Sequence, residues 1–509
     1  MTVTVTNEPQ IDDVAAELQS ARHHSLVIAE TVGSSAGTPS WIPLFLLAIL
    51  VVLAAILRII ATHNDLWLDE LISLRIANAV ETPWQIFTAV HNDNNHYLNT
   101  LYLYLVKNHQ QGPVYRYLSV LWGVALVPAG YWLLARRSRL EAVILAGLLT
   151  CSYPLIHFSS EARGYSGALL GSVLACAALI RWLAPGNGKR RSFLLGLTYS
   201  TALAFAILSH LTACLIWFAL AAGSFIVVAR RANRIRSISL WIALNSLPAG
   251  VLALLYFFDF RFMRELGGNP MPVLHALARL LALAVGWSGK EAVTVWIVLV
   301  PLVILIFWHL ADEEKKGEPF PIFLGFIYLT PLICVFALRT IFFSSRYFLV
   351  LLPFVYSSAA MLLARLARSR AGRAAAAALL LLFVAGETRL YLNFLQVGRG
   401  QFTAALEFME TQTPSSPLVV ASNQDFRSGI ELAYYWPRVA INRQLQYVPQ
   451  GTSSPIKPEW YISHQEGYEP PGPAELHIAG QPVWYRVAYF GASELSGQAW
   501  TIYSHQPMR

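Results

Sequence analysis

The residues best suited to chemistry are two adjacent carboxylates, Asp69 and Glu70, in the stretch "HNDLWLDELISLRIANAV" (63–80). They follow directly on "WIPLFLLAILVVLAAILRIIA", an apolar run long enough to cross a bilayer. Within 65–80 the apolar residues Leu68, Ile72 and Ile76 recur every fourth position behind Trp67, a spacing that predicts a short amphipathic helix lying along the membrane surface. Asp69 and Glu70 then fall in its first turns, where the positive end of the helix favours an ionised carboxylate. Consecutive helical residues point about 100° apart, so both acids cannot address one substrate atom. One is expected to face the reaction while the other orients protein, acceptor or metal. The alternative is a helix-end charge pair that only wets the interface.

A second group follows in "HNDNNHYLNTLYLYLVKNHQ" (91–110), where His91, Asp93 and His96 precede an aromatic and aliphatic stripe that predicts a second surface helix over 97–108. Imidazole and carboxylate together suit several divalent ions, so a metal on His91, Asp93 and His96 is left open. The spacing matches no standard zinc pattern, and the other reading is a hydrogen-bonded loop lining a polar cavity. Glu161, Arg163 and Tyr165 fall at one end of an apolar run, Arg346 and Tyr347 at the start of another, and His210 in the turn between two more. An arginine in such a place either anchors the span by snorkelling or grips a phosphate with its planar fork. Lys290 and Glu291 read as an end-of-span charge pair, and Asp259, Arg261 and Arg264 as solvent-facing loop residues.

These groups must be positioned by a membrane scaffold. Of 509 residues 56% are hydrophobic and only 13% charged, too few charges to cover a soluble domain of this size. The net charge of +8 does not indicate nucleic acid, because the basic residues cluster between apolar runs. Eleven spans are predicted, at 41–62, 115–135, 140–158, 165–184, 192–209, 211–229, 238–258, 291–310, 320–338, 347–366 and 373–389. With the N-terminus inside, the loops "ARRSR", "GKRR", "RRANRIR" and "RLARSRAGR" are cytoplasmic and strongly basic, as the positive-inside rule asks. That orientation gathers the 63–114 loop, the 159–165 turn, His210, the 259–290 loop, 339–347 and the C-terminal segment on the extracytoplasmic face. Residues 1–40 read as a cytoplasmic, disordered tail, 41–390 as the membrane domain, and 391–509 as a small extracytoplasmic mixed α/β domain. In that last domain 416–424 and 483–490 read as strands and 427–436 as a helix, with no triad-like cluster. The four cysteines lie inside apolar runs and form no CxxC pair.

The chemistry narrows by elimination. No glycine-rich phosphate loop opens a helix. Adjacent acids fit glycoside hydrolysis badly, because that reaction needs two carboxyl groups roughly 5 to 9.5 Å apart across the bond. When the leaving group is already a phosphate, one base for the acceptor hydroxyl suffices, with cations on the departing phosphate. Outside the cytoplasm such a donor would arrive on a membrane lipid.

The order of motifs resembles the GT-C membrane glycosyltransferases, in particular the protein O-mannosyltransferases and the bacterial lipid A aminoarabinose transferases. "LWLDE" is similar to the acidic pair of their first outer loop, "HYLNTLYLYLV" in part to the histidine segment that follows, "EARGY" to an R-x-Y motif at the third span, and "SSRYFLVLLP" to a late RY…P motif with Arg346, Tyr347 and Pro353. Tyr97 and Leu98 stand where those families carry paired prolines, and the WWD-type signature of oligosaccharyltransferases is absent. The resemblance implies Asp69 as catalytic base, Glu70 as its companion, and Arg346 with Arg163 at the lipid phosphate, with Tyr347 beside them; His91, Asp93, His96, Tyr165 and His210 are read as acceptor or cavity-lining residues, His91 and His210 having no counterpart in those families. It implies a glycosyltransferase of the bacterial inner (plasma) membrane. One sugar would pass from a polyprenyl-phosphate donor to an acceptor hydroxyl on a lipid, glycan or protein, with inversion. Two other readings stay open: a transporter or lipid flippase, and a ligase or polymerase that moves a longer lipid-linked glycan.

Overall fold

In the computed structural model the described residues are 41–107, 109, 111–231, 233–263, 273–288, 319–338, 344–413, 417–440, 442–451, 456–467 and 469–506. The helices run α1 Ile42–Ile60, α2 Leu68–Ala79, α3 Tyr97–Leu105, α4 Tyr117–Leu134, α5 Arg139–Cys151, α6 Tyr153–Ser159 and α7 Tyr165–Leu183. There follow α8 Lys189–Ser209, α9 Ala213–Ala229, α10 Arg234–Phe258, α11 Val273–Leu283, α12 Phe320–Leu338, α13 Leu352–Leu366 and α14 Arg370–Val397. Among the described residues seven helical stretches are long and apolar enough to cross a membrane, and the bent pair α5–α6 makes eight. The protein is an integral, multi-pass membrane protein.

Eleven spans are therefore not all seen. The predicted span 291–310 lies outside the described residues, as do Lys290, Glu291 and Arg264. The predicted span 211–229 is the shorter apolar helix α9, and the described apolar part of α12 is likewise short of a full crossing. Where a span is long its sides divide by environment. α7 is nearly enclosed by its neighbours, whereas α1 turns Ile49, Val52, Ile56 and Ile59 outward as a continuous apolar strip suited to lipid tails.

Two ionisable side chains within the helices, Arg58 of α1 and Glu387 of α14, are buried. The physical reason is the 60° bend between α5 and α6, which breaks the helical hydrogen-bond ladder. Arg58 donates from Nη2 to Leu149 O at 3.0 Å and from Nη1 to Thr150 O at 3.4 Å, capping the open carbonyl end of α5. On the other side of the break Glu387 Oε2 accepts the Tyr153 amide at 2.6 Å. The side chains of an arginine and a glutamate thus satisfy the two ends of one broken helix.

Beyond α14 the chain forms α15 (Phe402–Gln412), β1 (Leu418–Ser422), α16 (Asp425–Val439) and strands β2 (Leu445–Tyr447), β3 (Trp460–Glu466), β4 (Glu475–Leu476), β5 (Trp484–Phe490) and β6 (Gln498–Ser504). They make one mixed sheet in the order β2-β1-β3-β6-β5-β4, parallel at β2-β1-β3 and antiparallel from β3 onward. The two strands and the helix read from sequence correspond to β1, β5 and α16; the others were not foreseen. Gly398, at the end of α14, has φ of +60°, and a Cβ there would meet Asn64 Cβ at 2.9 Å. Glycine lets the chain turn off the long helix directly over the first loop.

This sheet region shares its core with the first loop. Trp67, Leu71 and Leu74 of α2 and its approach pack in one apolar cluster with Phe402, Leu406, Tyr435, Trp436 and Trp500. Tyr435 OH donates to Leu66 O at 2.6 Å. The helix that carries Asp69 is therefore wedged between the bundle and the sheet.

Candidate functional site

α2 is not the simple surface helix its every-fourth-residue pattern suggests. Its buried positions are Leu68, Glu70, Leu71, Ser73, Leu74 and Ala77, while Ile72 and Ile76 are only half-buried. Of the two adjacent acids, Glu70 is the one inside the protein. Glu70 Oε1 accepts from Arg116 Nε at 2.7 Å and Oε2 from Arg116 Nη2 at 2.6 Å, with neither side chain exposed. Glu70 also accepts from Ala162 N at 2.7 Å and, as a reach back to its own helix start, from Trp67 N at 3.2 Å. Burial works to raise this carboxyl, but the Arg116 charge and hydrogen bonds outweigh it and hold the group below the usual range.

Asp69 points elsewhere, as the 100° step requires. Its Oδ2 accepts from Arg346 Nη1 at 2.7 Å and lies 3.4 Å from Arg163 Nη1. Its side chain keeps 14% of its surface, against none for Glu70. Arg163 also donates to Asn94 Oδ1, and Asn94 Nδ2 donates to Asp69 O at 3.1 Å, so the 91–96 loop braces the start of α2. Three donors beside this carboxylate are buried without a hydrogen-bond partner among the described residues: Arg163 Nε, Arg346 Nε and Tyr165 OH. Buried donors are seldom left unmet unless something else is to be bound. The Arg346 guanidinium stands 5.5 Å from the Trp67 ring and 6.0 Å from that of Tyr347.

His96 and His210 lie next to this group, with ring centroids 4.5 Å apart, and Tyr165 stacks on His210 at 4.4 Å. Gly164 N donates to His96 Nδ1 at 2.8 Å, which requires that nitrogen unprotonated. Burial, then the Arg163 charge, pushes both imidazoles well below their ordinary range, so they are neutral rings. His91 does not join them. Its Nδ1 lies 3.1 Å from Asp259 Oδ1, and Tyr97 OH donates to Asp259 Oδ2 at 2.5 Å. Asp259, expected to face solvent, is fully buried between these two partners because the first loop docks on the end of α10. Asp93 is exposed. The proposed metal set His91, Asp93 and His96 is not brought together, and no group of three or more metal-ligating side chains converges among the described residues.

Sequence reasoning passed over Arg116, Arg399 and the Glu161 contacts. Glu161 accepts from Trp67 Nε1 at 2.8 Å and from Ser496 Oγ at 3.1 Å, and Arg399 Nε lies 4.0 Å away. Burial raises the Glu161 carboxyl against the pull of Arg399. These contacts tie the site to the C-terminal region. The available signal was Arg116 itself, a charged residue at the mouth of an apolar run, which needs a buried partner. In the sheet region Ser428 Oγ stands 2.8 Å from His464 Nε2, while His464 Nδ1 lies 3.7 Å from Glu431 Oε2, beyond the hydrogen bond that a catalytic triad needs. All three are buried in the sheet region, and Ser428 Oγ also bonds Ser422 Oγ at 2.7 Å.

No family model matches the sequence, and no curated protein matches it. Among solved structures, ArnT from Cupriavidus metallidurans in the apo state superposes with a TM-score of 0.51 at 12% identity, over 90% of this chain and 97% of that one. The same protein bound to undecaprenyl phosphate gives 0.51 at 14% identity, over 92% and 99%. The chain has the GT-C fold. ArnT is a lipid A aminoarabinose transferase, and the match runs through both the helical bundle and the sheet region. At this level of identity the GT-C likeness speaks to fold, and the chemistry has to be argued from the side chains.

Proposed function

We propose that this GT-C protein is a glycosyltransferase that moves one sugar from a polyprenyl-phosphate donor to an acceptor hydroxyl on the extracytoplasmic face of the membrane. The observation that carries it is the arrangement at Asp69: one carboxylate, partly open to solvent, on two arginines whose Nε donors are unmet. An arriving phosphate offers those donors the acceptor oxygens they lack. It also competes with Asp69 for Arg346, the more exposed of the two arginines. The freed carboxylate is then able to take a proton. ArnT, which shares the fold, is described as bound to undecaprenyl phosphate, and this supports a lipid phosphate as the ligand.

In the step we propose, the acceptor oxygen attacks the anomeric carbon as its proton passes to Asp69. The bond from that carbon to the phosphate oxygen breaks, and the lipid phosphate leaves with the electron pair. Arg346 and Arg163 stabilise the charge that gathers on it. A single base with no covalent nucleophile predicts inversion. Glu70 takes no part in proton transfer, because Arg116 holds both its oxygens. It fixes the helix that presents Asp69. The neutral His96 and His210 line the cavity beside Tyr165.

The test is transfer by purified protein in nanodiscs from a panel of radiolabelled polyprenyl-phosphate sugars. Asp69→Asn is expected to lower the rate by about 10²–10⁴ while donor affinity holds or tightens, because the carboxylate that competes for Arg346 is gone. Arg346→Ala should weaken donor binding and the rate together. Equal transfer by wild type and Asp69→Asn would refute the assignment.

A further inference from the structure

A cleft of about 590 Å³ opens between α2 and α16, lined by Leu71, Leu74, Arg75 and Asn78 on one side and by Tyr434 and Arg438 on the other. On α2 these four residues occupy the face turned away from Asp69, since 3.6 residues per turn sets Asp69 and Asn78 half a turn apart. The cleft is therefore separate from the reaction centre, with the thickness of a helix between them. We propose that it holds an anionic oligosaccharide, the part of the acceptor remote from the hydroxyl that reacts. This rests on the glycosyltransferase reading.

Charge and shape argue for that occupant. The lining carries two arginines and His109, and no carboxylate. Arg75 and Arg438 are both exposed, and Arg438 lies 3.7 Å over the Tyr434 ring, which holds the guanidinium at the cleft. A planar fork of this kind pairs with a carboxylate or phosphate through two hydrogen bonds. The Asn78 amide offers both a donor and an acceptor to hydroxyls. Tyr115 and Tyr434 supply aromatic surface against which an apolar sugar face can rest.

The walls argue against an extended peptide. The two long walls of the cleft are helices, whose backbone groups are already paired, and His109 and Tyr115 join the lining from the stretch before α4, so no strand edge is offered for main-chain addition. The opening itself comes from α16, where Gly429 and Ala433 recur one turn apart and project almost nothing. A Cβ built on Gly429 meets no atom within 4 Å. Crowding therefore does not demand the glycine, and its helical backbone does not either. What its small size provides is space.

The experiment reads binding directly, on the full chain in nanodiscs, by thermophoresis with labelled protein. The probes are oligogalacturonate as the anionic glycan, maltooligosaccharide of the same length as the neutral one, and a poly-glutamate peptide as the acidic polypeptide. Oligogalacturonate is expected to bind at least tenfold more tightly than either other probe and to weaken as salt rises. Gly429→Leu should lower its affinity tenfold or more by filling the cleft, with an unchanged melting curve. Arg75→Ala and Arg438→Ala should each weaken it and flatten the salt dependence. Equal affinity in Gly429→Leu and wild type overturns the proposal, as does binding of poly-glutamate as tight as that of the glycan. Failure of oligogalacturonate to outbind maltooligosaccharide also overturns it. Because no turnover is measured, loss of transfer in Asp69→Asn with glycan binding intact separates this cleft from the reaction.

Discussion

Replacing Glu70 by glutamine tests whether the two neighbouring acids have divided their duties. Arg116 has five donor hydrogens, and the structure gives five acceptors: both oxygens of Glu70, and the carbonyls of Thr62 at 2.6 Å, Asn64 at 2.8 Å and Asp65 at 2.8 Å. Glutamine keeps the shape but removes the charge, and its amide nitrogen faces Arg116 or the Ala162 and Trp67 amides, donor against donor. An uncompensated buried arginine costs roughly 3–5 kcal/mol. Arg116→Met should cost more than Glu70→Gln, since three carbonyls lose their donor as well, each unmet group costing about 1–3 kcal/mol. The double variant should lie below the sum of the two by about 0.5–3 kcal/mol, because the second change removes the partner the first had stranded. The assay is SDS unfolding of the four proteins followed by tryptophan fluorescence, with sugar transfer measured in parallel. Glu70→Gln should lose stability and rate together. Asp69→Asn should lose rate by about 10²–10⁴ and give up less stability than Glu70→Gln, because Asp69 and its partner Arg346 keep some solvent contact while Glu70 and Arg116 keep none. Strict additivity of the two single changes, or a Glu70→Gln protein as stable as wild type, would refute the division of roles.

Two further outcomes follow from the same geometry. In Gly164→Ala the new Cβ would stand 1.8 Å from the Ser209 carbonyl oxygen, a backbone atom that cannot swing away, so the α6–α7 turn must shift and His96 must lose its amide donor. The variant should express poorly or lose transfer, whereas Gly147→Ala, which meets nothing within 4 Å, should behave as wild type. In the sheet region burial raises the Glu431 carboxyl to about 8 and lowers the His464 imidazole to about 3. Between the unfolded and folded values of Glu431 the folded chain binds the extra proton, so its contribution fades as pH rises; His464 acts oppositely, but only below its unfolded value near 6.5. Melting temperature should therefore fall from about pH 6.5 to about pH 8, and Glu431→Gln should flatten that slope. A slope that survives in Glu431→Gln would show that another group is responsible.

Much of the scaffold was legible in the chain because lipid imposes a simple rule: a crossing helix must satisfy its own backbone and show apolar side chains over about 20 residues. That rule alone locates α1, α4, α7, α8, α10 and α13 to within about five residues, and the start of α14, which runs on to Val397, past the predicted end at 389. It also brings Asp69, Arg163, Tyr165, His210 and Arg346 to the ends of elements, where they meet. The α16 helix and strands β1 and β5 were likewise visible from turn residues and alternation, while β2, β3, β4 and β6 were not. The short or broken elements obey local rules weakly. The bend at Ser152 is held by Arg58 and Glu387, residues roughly 90 and 230 positions away along the chain, and no periodicity reports that.

The sequence by itself determined that this is a membrane bundle with a polar loop after its first span, and that Asp69 and Glu70 on one helix must point in different directions. It did not determine which acid goes inward. The apolar spacing of Leu68, Ile72 and Ile76 even suggested the wrong buried face, because Glu70, Ser73 and Ala77 are buried against protein. Only the tertiary structure decided that Arg116 arrives from the next span to neutralise Glu70, leaving Asp69 to Arg346 and Arg163. The same is true of Asp259, which turned inward to His91 and Tyr97. A charge can be buried only where a distant partner meets it, and such pairing is a property of packing, which neighbouring residues along the chain do not record.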